Sequence, residues 1–277
     1  LEAFGTELGR KGFRLQSLDL ASTPQLPDNT GLLVIAGPQA LYLPGEVRLI
    51  IEYLERGGNL LWLMEPGDLY GLEPLARKIG IDVLPGTVVD ANGAELGLED
   101  PAIALVPRYP NHPATEQFDL ITLYPQAAAL EPNNISDDWV VSPLLNTLDR
   151  SWNETGPIRG QVARDPDQGE QAGPLSIGIA FSRSRELGEQ RLLVIGDGDF
   201  LSTAFLGNGG NLNLGLNLIR WLTGDDRLID IPAKTARDLK LDLPPLTGAA
   251  IGAAAGAAAG LAAAALARGK QKKSQQE

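Results

Sequence analysis

Two uninterrupted apolar runs, LLVIA (32–36) and LLWLM (60–64), limit the architectures open to this chain. Neither leaves a polar face for water, so each suits a strand covered on both sides, as in a parallel sheet packed between helices. The segment between them, LPGEVRLIIEYLERGG (43–58), has helical spacing, with Val47, Ile50, Ile51 and Leu54 on one face. Pro44 fits the first helical turn, and Gly57-Gly58 ends the helix. Strand, helix and strand joined by short connections predict an α/β fold with a doubly wound, mostly parallel sheet.

Other segments extend the pattern. LEAFGTELGRKGF (1–13) reads as a helix, with Leu1, Phe4, Leu8 and Phe13 at helical spacing. FRLQSLDL (13–20) alternates like a strand, DLYGLEPLARKIGI (68–81) reads as a helix and IDVLPGTVVD (81–90) as a strand. Residues 91–175 are proline-punctuated and form an irregular, β-rich insertion within one domain spanning 1–235. Short strands are expected in ITLYPQAAALEP (121–132) and WVVSPLL (139–145), and a mobile hairpin loop in RDPDQGEQAGP (164–174). LSIGIAFSRS (175–184) and RLLVIGDGDF (191–200) return to strand character and complete the sheet. NLNLGLNLIRWLTG (211–224) is a capped amphipathic helix.

Three strand ends carry polar turns: IAGPQ (35–39), MEPGD (64–68) and GDGDF (196–200). Open α/β sheets bind ligands beyond the carboxyl ends of their strands, so Gln39, Glu65, Asp68, Asp197 and Asp199 are expected to line one shallow cleft. GDGDFLSTAFLGNGGN (196–211) is the most suggestive of these turns. It has no Gly-Lys-Ser/Thr phosphate loop, no dinucleotide pattern and no calcium-loop spacing. Its glycines allow a sharp turn, and its aspartates suit capping of exposed backbone N–H groups. Two other readings stay open: a metal-dependent hydrolase using Asp197 and Asp199, or a module binding a small polar molecule or glycan.

Composition narrows the chemistry. The chain has no cysteine, which removes thiolate zinc sites and cysteine nucleophiles and suits an extracytoplasmic protein. No serine sits in a Gly-x-Ser-x-Gly elbow, and there is no Walker motif. The one histidine, His112, lies between prolines in YPNHPAT and is expected to hydrogen-bond locally. Trp62, Trp139, Trp152 and Trp221 are expected in or near the core. No cofactor or metal is implied. Net charge is −12, and the last ten residues are basic by three, leaving −15 on residues 1–267. Such a body repels phosphate backbones, so no nucleic-acid partner is expected.

After a linker at 236–245, LTGAAIGAAAGAAAGLAAAALA (246–267) carries no charge. As a helix it would measure ~33 Å, enough for a hydrocarbon core of ~30 Å. Gly248, Gly252, Gly256 and Gly260 recur every four residues, a spacing that lets membrane helices approach closely. The basic residues 268–277 fit a cytoplasmic tail. A transmembrane helix is therefore expected here. The chain opens without methionine or a signal-peptide pattern and reads as a piece whose upstream part is missing.

Several stretches together resemble a known family. LLVIAGPQALYLPGEVRLIIEYLERGGNLLWLMEPGD (32–68), NHPAT (111–115), GDGDFLS (196–202), NLNLGLNLIRWLTGDD (211–226) and IDIPAK (229–234) are similar, in the same order, to the auxiliary components of ABC-type transport systems, the gliding-motility-associated GldG-like proteins. The resemblance implies a noncatalytic extracytoplasmic domain with a glutamine-amidotransferase-like or flavodoxin-like sheet. It further implies an ABC permease and ATPase as partners, anchoring in the bacterial inner membrane, and upstream membrane segments.

Overall fold

The computed structural model describes residues 1–224 apart from Thr23, Pro24, Asp28, Gln161 and Leu187. The expected linker, apolar helix and basic tail lie outside the described residues. In chain order the elements begin α1 (Glu2–Arg10), β1 (Leu33–Ala36), α2 (Pro44–Glu55), β2 (Leu60–Leu63), α3 (Glu73–Ile79), β3 (Ile81–Val83) and β4 (Thr87–Asp90). They continue β5 (Ile103–Val106), β6 (Thr122–Pro125), β7 (Leu130–Pro132), β8 (Val140–Asn146) and β9 (Ser151–Glu154), then β10 (Ser176–Arg185), β11 (Gly188–Ile195) and α4 (Asn211–Thr223).

The main sheet has five strands in the order β1-β2-β11-β10-β8. β2 is central among the parallel strands, flanked by β1 and β11. Its side chains explain why the run 60–64 has no polar position. Leu60, Trp62 and Met64 enter a core with Val47, Ile50 and Leu54 of α2 and Leu75 and Ile79 of α3. Leu61 and Leu63 enter the opposite core with Phe4 and Leu8 of α1 and Leu214 and Leu218 of α4. Each such fully buried side chain is worth about 1.5–3 kcal/mol. Helices thus cover both faces, as the sequence predicts.

The sheet is mixed rather than mostly parallel. β10 runs antiparallel to both β11 and β8. Arg185 pairs with Gly188 at the end of the β10–β11 ladder. Two intervening residues are too few for the crossover a parallel pair requires. β1 also departs from expectation. It is the edge strand and buries only Leu33 and Ile35, while Val34 is 42% exposed.

Residues 13–20 form no strand. Phe13 packs with the α1/α4 core, whereas Leu18 and Leu20 pack with the α2/α3 core. Their alternation serves a segment passing from one face to the other. The helix expected over 68–81 is confined to α3, after Gly71. The strand expected over 81–90 is split at Pro85-Gly86 into β3 and β4. Gly86 has φ +85°, and a Cβ there would lie 2.0 Å from the Glu154 carbonyl oxygen.

Strands from 91–175 form two-stranded antiparallel ladders: β5 pairs with β6, while β9 and β7 pair with β4 and β3 before them. The expected hairpin loop at 164–174 is built around a buried acid. Glu170 accepts hydrogen bonds from the Thr155 and Asp165 backbone N–H groups and the Thr155 hydroxyl. These bonds hold its carboxyl below the usual range, against its burial.

Candidate functional site at the strand tips

The loops leaving β1, β2 and β11 are joined side by side. Gly37 N–H donates to the Leu63 carbonyl at 2.9 Å, and Met64 N–H to the Ile195 carbonyl at 2.9 Å. Gly198 N–H then donates to Glu65 Oε1 at 3.1 Å. These contacts place Glu65, Asp197 and Asp199 together at the carboxyl ends of the parallel strands, where such sheets bind ligands.

The three acids differ in burial. Asp199 is exposed, Glu65 half-buried and Asp197 wholly buried. Asp197 Oδ1 accepts from the N–H groups of Asp199 at 2.6 Å and Phe200 at 3.2 Å, capping the single 3-10 turn Asp199–Leu201. Its Oδ2 is buried without a hydrogen-bond partner. Burial first, and then the charge of Glu65, push the Asp197 carboxyl well above the usual range. Burial and Asp199 push Glu65 up to about 7, opposed by the Gly198 N–H.

Because the folded state holds the Glu65 proton more tightly than the unfolded chain, stability falls as pH rises from about 4.5 to 7. Glu65→Gln keeps an acceptor for Gly198 but removes the charge. The variant is expected to exceed the parent by about 1–2 kcal/mol at pH 8, allowing for solvent screening of a half-exposed group. At pH 4 the difference should vanish. Urea unfolding at the two pH values checks this; an equal difference at both contradicts it.

The other two predicted residues make no contact with these acids among the described hydrogen bonds. Gln39 is exposed and makes no side-chain hydrogen bond among the described residues. Gly67, with φ +103°, turns the chain after Glu65-Pro66. Asp68 accepts from Tyr70 N–H at 2.6 Å and borders a separate groove of about 660 Å³ with Glu73, Arg77 and Asp82. The structure brings Glu65, Asp197 and Asp199 together and sets Asp68 beside another groove. Among the described residues, no three acidic or histidine side chains converge as metal ligands would.

His112 is bonded locally, as its sequence context predicts. Nδ1 accepts from Ala114 N–H at 3.1 Å, and the ring meets Trp221 edge-on at 4.7 Å. Burial and Arg191 lower its pKa. Trp62, Trp152 and Trp221 are buried, and Trp139 is half-buried beneath Arg183.

Two supporting residues escaped the sequence reading. Gly196, just before Asp197, donates its N–H to the Ile177 carbonyl and accepts from Ala128 N–H at 2.7 Å. Asn211, buried at the start of α4, accepts from Leu123 N–H and reaches the carbonyls of Leu123, Phe200 and Phe205. It ties the turn after the acids to β6. Its position at the head of a helical pattern, after Gly209-Gly210, was the available signal, but that context points to a cap rather than a tertiary clamp.

Comparison with curated proteins gives no match. Among solved structures, one titled "mmIFT52 N-terminal domain" is similar at 21% identity, with a TM-score of 0.60 over 79% of this chain and 88% of that one. At that identity the likeness concerns the fold alone. The family model described as "ABC-type uncharacterized transport system" matches residues 1–219. The chain therefore belongs to the family of auxiliary components of ABC-type transport systems.

Proposed function

We propose that this protein is a noncatalytic, membrane-anchored auxiliary subunit that recruits or braces an ABC permease and its ATPase. The observation that carries the reading is the placement of Glu65, Asp197 and Asp199 on adjoining strand tips of a chain in this family. The chain has no cysteine, and its one histidine is engaged with Ala114 and Trp221, so the tip acids have neither as a catalytic companion. An acidic surface without a nucleophile suits docking. The association with gliding motility rests on the sequence motifs alone.

On this reading the α/β domain is extracytoplasmic and 246–267 anchors it in the bacterial inner membrane. Among the described residues no helix is long and apolar enough to cross a membrane, so the anchor is assigned from sequence. Mild detergent extraction should recover permease and ATPase together with the full chain; recovery of the chain without any ABC component would overturn the proposal. A chain ending at Pro245 should leave the membrane fraction. If it fractionates like the full chain, 246–267 is not the anchor.

A further inference from the structure

We propose that the free edge of β1 pairs with the same edge of a second copy, joining two main sheets across a two-fold axis. This goes beyond the docking assignment and does not depend on it.

The backbone supplies the first observation. Leu33 N–H donates to the Asn59 carbonyl and Gly37 N–H to the Leu63 carbonyl, both on the β2 side. Bonding residues alternate along a strand, so Leu33, Ile35 and Gly37 face β2. The N–H and carbonyl groups of Leu32, Val34 and Ala36 therefore point away from it. Among the described residues β1 pairs with no strand other than β2, and no loop hydrogen-bonds these three outward residues.

Access is the second. Val34 is 42% exposed and Ala36 is exposed, so the edge is open to approach. Edge strands are ordinarily guarded by charges, a proline, a bulge or a covering segment. In a chain that is 21% charged, residues 29–45 carry no charge, and the first proline comes only at Pro38, after the strand.

Charge selects the occupant. With a net charge of −12, two copies repel each other over most of their surfaces. The uncharged strip is where two such bodies meet at least electrostatic cost. A basic segment would be drawn instead to the acidic surface elsewhere. A second β1 is itself uncharged and sets a β-branched side chain against Val34, a stabilising cross-strand pair.

The sequence also fixes the register. In an antiparallel pair the hydrogen-bonded positions must be the outward residues. A two-fold axis at Val34 sets Val34 opposite Val34 and Leu32 opposite Ala36, which uses every outward donor. An axis at Ile35 would set Leu32 opposite Pro38, which has no N–H to give. The contact is then isologous, the commonest arrangement for a dimer.

Sedimentation velocity on the full chain in mild detergent, over a concentration series, tests the association. The parent should form a dimer whose share grows with concentration. Val34→Lys should stay monomeric at the same concentrations with an unchanged circular dichroism spectrum, since residue 34 is exposed and does not bond to β2. A parent that stays monomeric would overturn the proposal. So would a dimer that survives Val34→Lys, which would place the contact elsewhere, for instance at the glycine repeat of 248–260.

The absence of cysteine lets single substitutions read the register. Across the axis two copies of residue 34 lie about 5.5 Å apart at Cα, within disulfide range. Two copies of residue 36 are offset by four residues, about 13 Å along the strand, beyond that range. Mild oxidation should therefore cross-link most of Val34→Cys and little of Ala36→Cys. Equal cross-linking of both, or cross-linking of Ala36→Cys alone, would overturn the assignment. None of these readouts involves ABC components, so the dimer and the docking assignment can fail separately.

Discussion

Gly196→Ala is expected to reduce unfolding free energy by roughly 3–5 kcal/mol, measured by urea denaturation. A Cβ at this position would lie 2.0 Å from the Ala128 carbonyl oxygen and 2.9 Å from its carbon. Both are backbone atoms, so no rotamer change relieves the clash. The Gly196 N–H and carbonyl are also committed, to Ile177 and Ala128 respectively. Overpacking alone costs about 1–3 kcal/mol, and two strained backbone hydrogen bonds add about 1 kcal/mol each. Gly207→Ala is the matched control. Its Cβ would meet nothing within 4 Å, so a change within about 1 kcal/mol, toward stabilisation, is expected. Equal behaviour of the two variants would show that the close approach of β11 to Ala128 does not fix the strand tip.

Asn211→Ala is expected to cost a similar amount, about 3–5 kcal/mol. One fully buried amide serves the Leu123 N–H and the carbonyls of Leu123, Phe200 and Phe205. Truncation leaves these groups short of partners in a dry interior, at about 1–3 kcal/mol for each one left unsatisfied. Asn211→Asp discriminates a clamp from simple space filling. It preserves shape and the acceptor for Leu123 N–H but turns a carboxyl oxygen toward three carbonyls. It should be at least as destabilising as alanine at pH 7, as read from thermal unfolding. If aspartate is tolerated, packing rather than hydrogen bonding explains the position. Because Asn211 anchors the turn that follows Asp199, its loss should also loosen the three-carboxyl site.

The elements that sequence revealed best are those whose local pattern and tertiary surroundings agree. LLWLM lacks a polar position because Leu60, Trp62 and Met64 meet one helical layer while Leu61 and Leu63 meet the other. The same rule misjudged LLVIA, since apolar composition does not distinguish a central strand from an edge. Val34 is accordingly 42% exposed. Sheet direction was not legible either. It depends on the two-residue connection between β10 and β11, and apolar runs look alike in both orientations. Residues 13–20 alternate convincingly, yet Phe13 joins one core, Leu18 and Leu20 the other, and Leu15 stays exposed, a division that period-two spacing cannot separate from a strand.

The candidate site was partly readable. Glu65, Asp197 and Asp199 were identified from strand-end turns, and the three tips do come together. Asp68 was grouped with them because a linear reading cannot see Gly67 turn the chain aside. The functional distinction among the acids was hidden altogether. One oxygen of Asp197 is spent on a 3-10 turn and the other is buried without a partner, and only the packing of Glu65 over that turn sets them apart.

The central claim, that the acidic strand tips hold the partner, is tested most directly by quantitative recovery of permease and ATPase with tip variants of the full chain. Glu65→Gln combined with Asp199→Asn leaves the Asp197 cap in place and removes the two accessible charges. Recovery of both ABC components should fall to background with this variant and persist with Glu116→Gln, an exposed acid outside the three tips. Undiminished recovery with the tip variant would contradict the account.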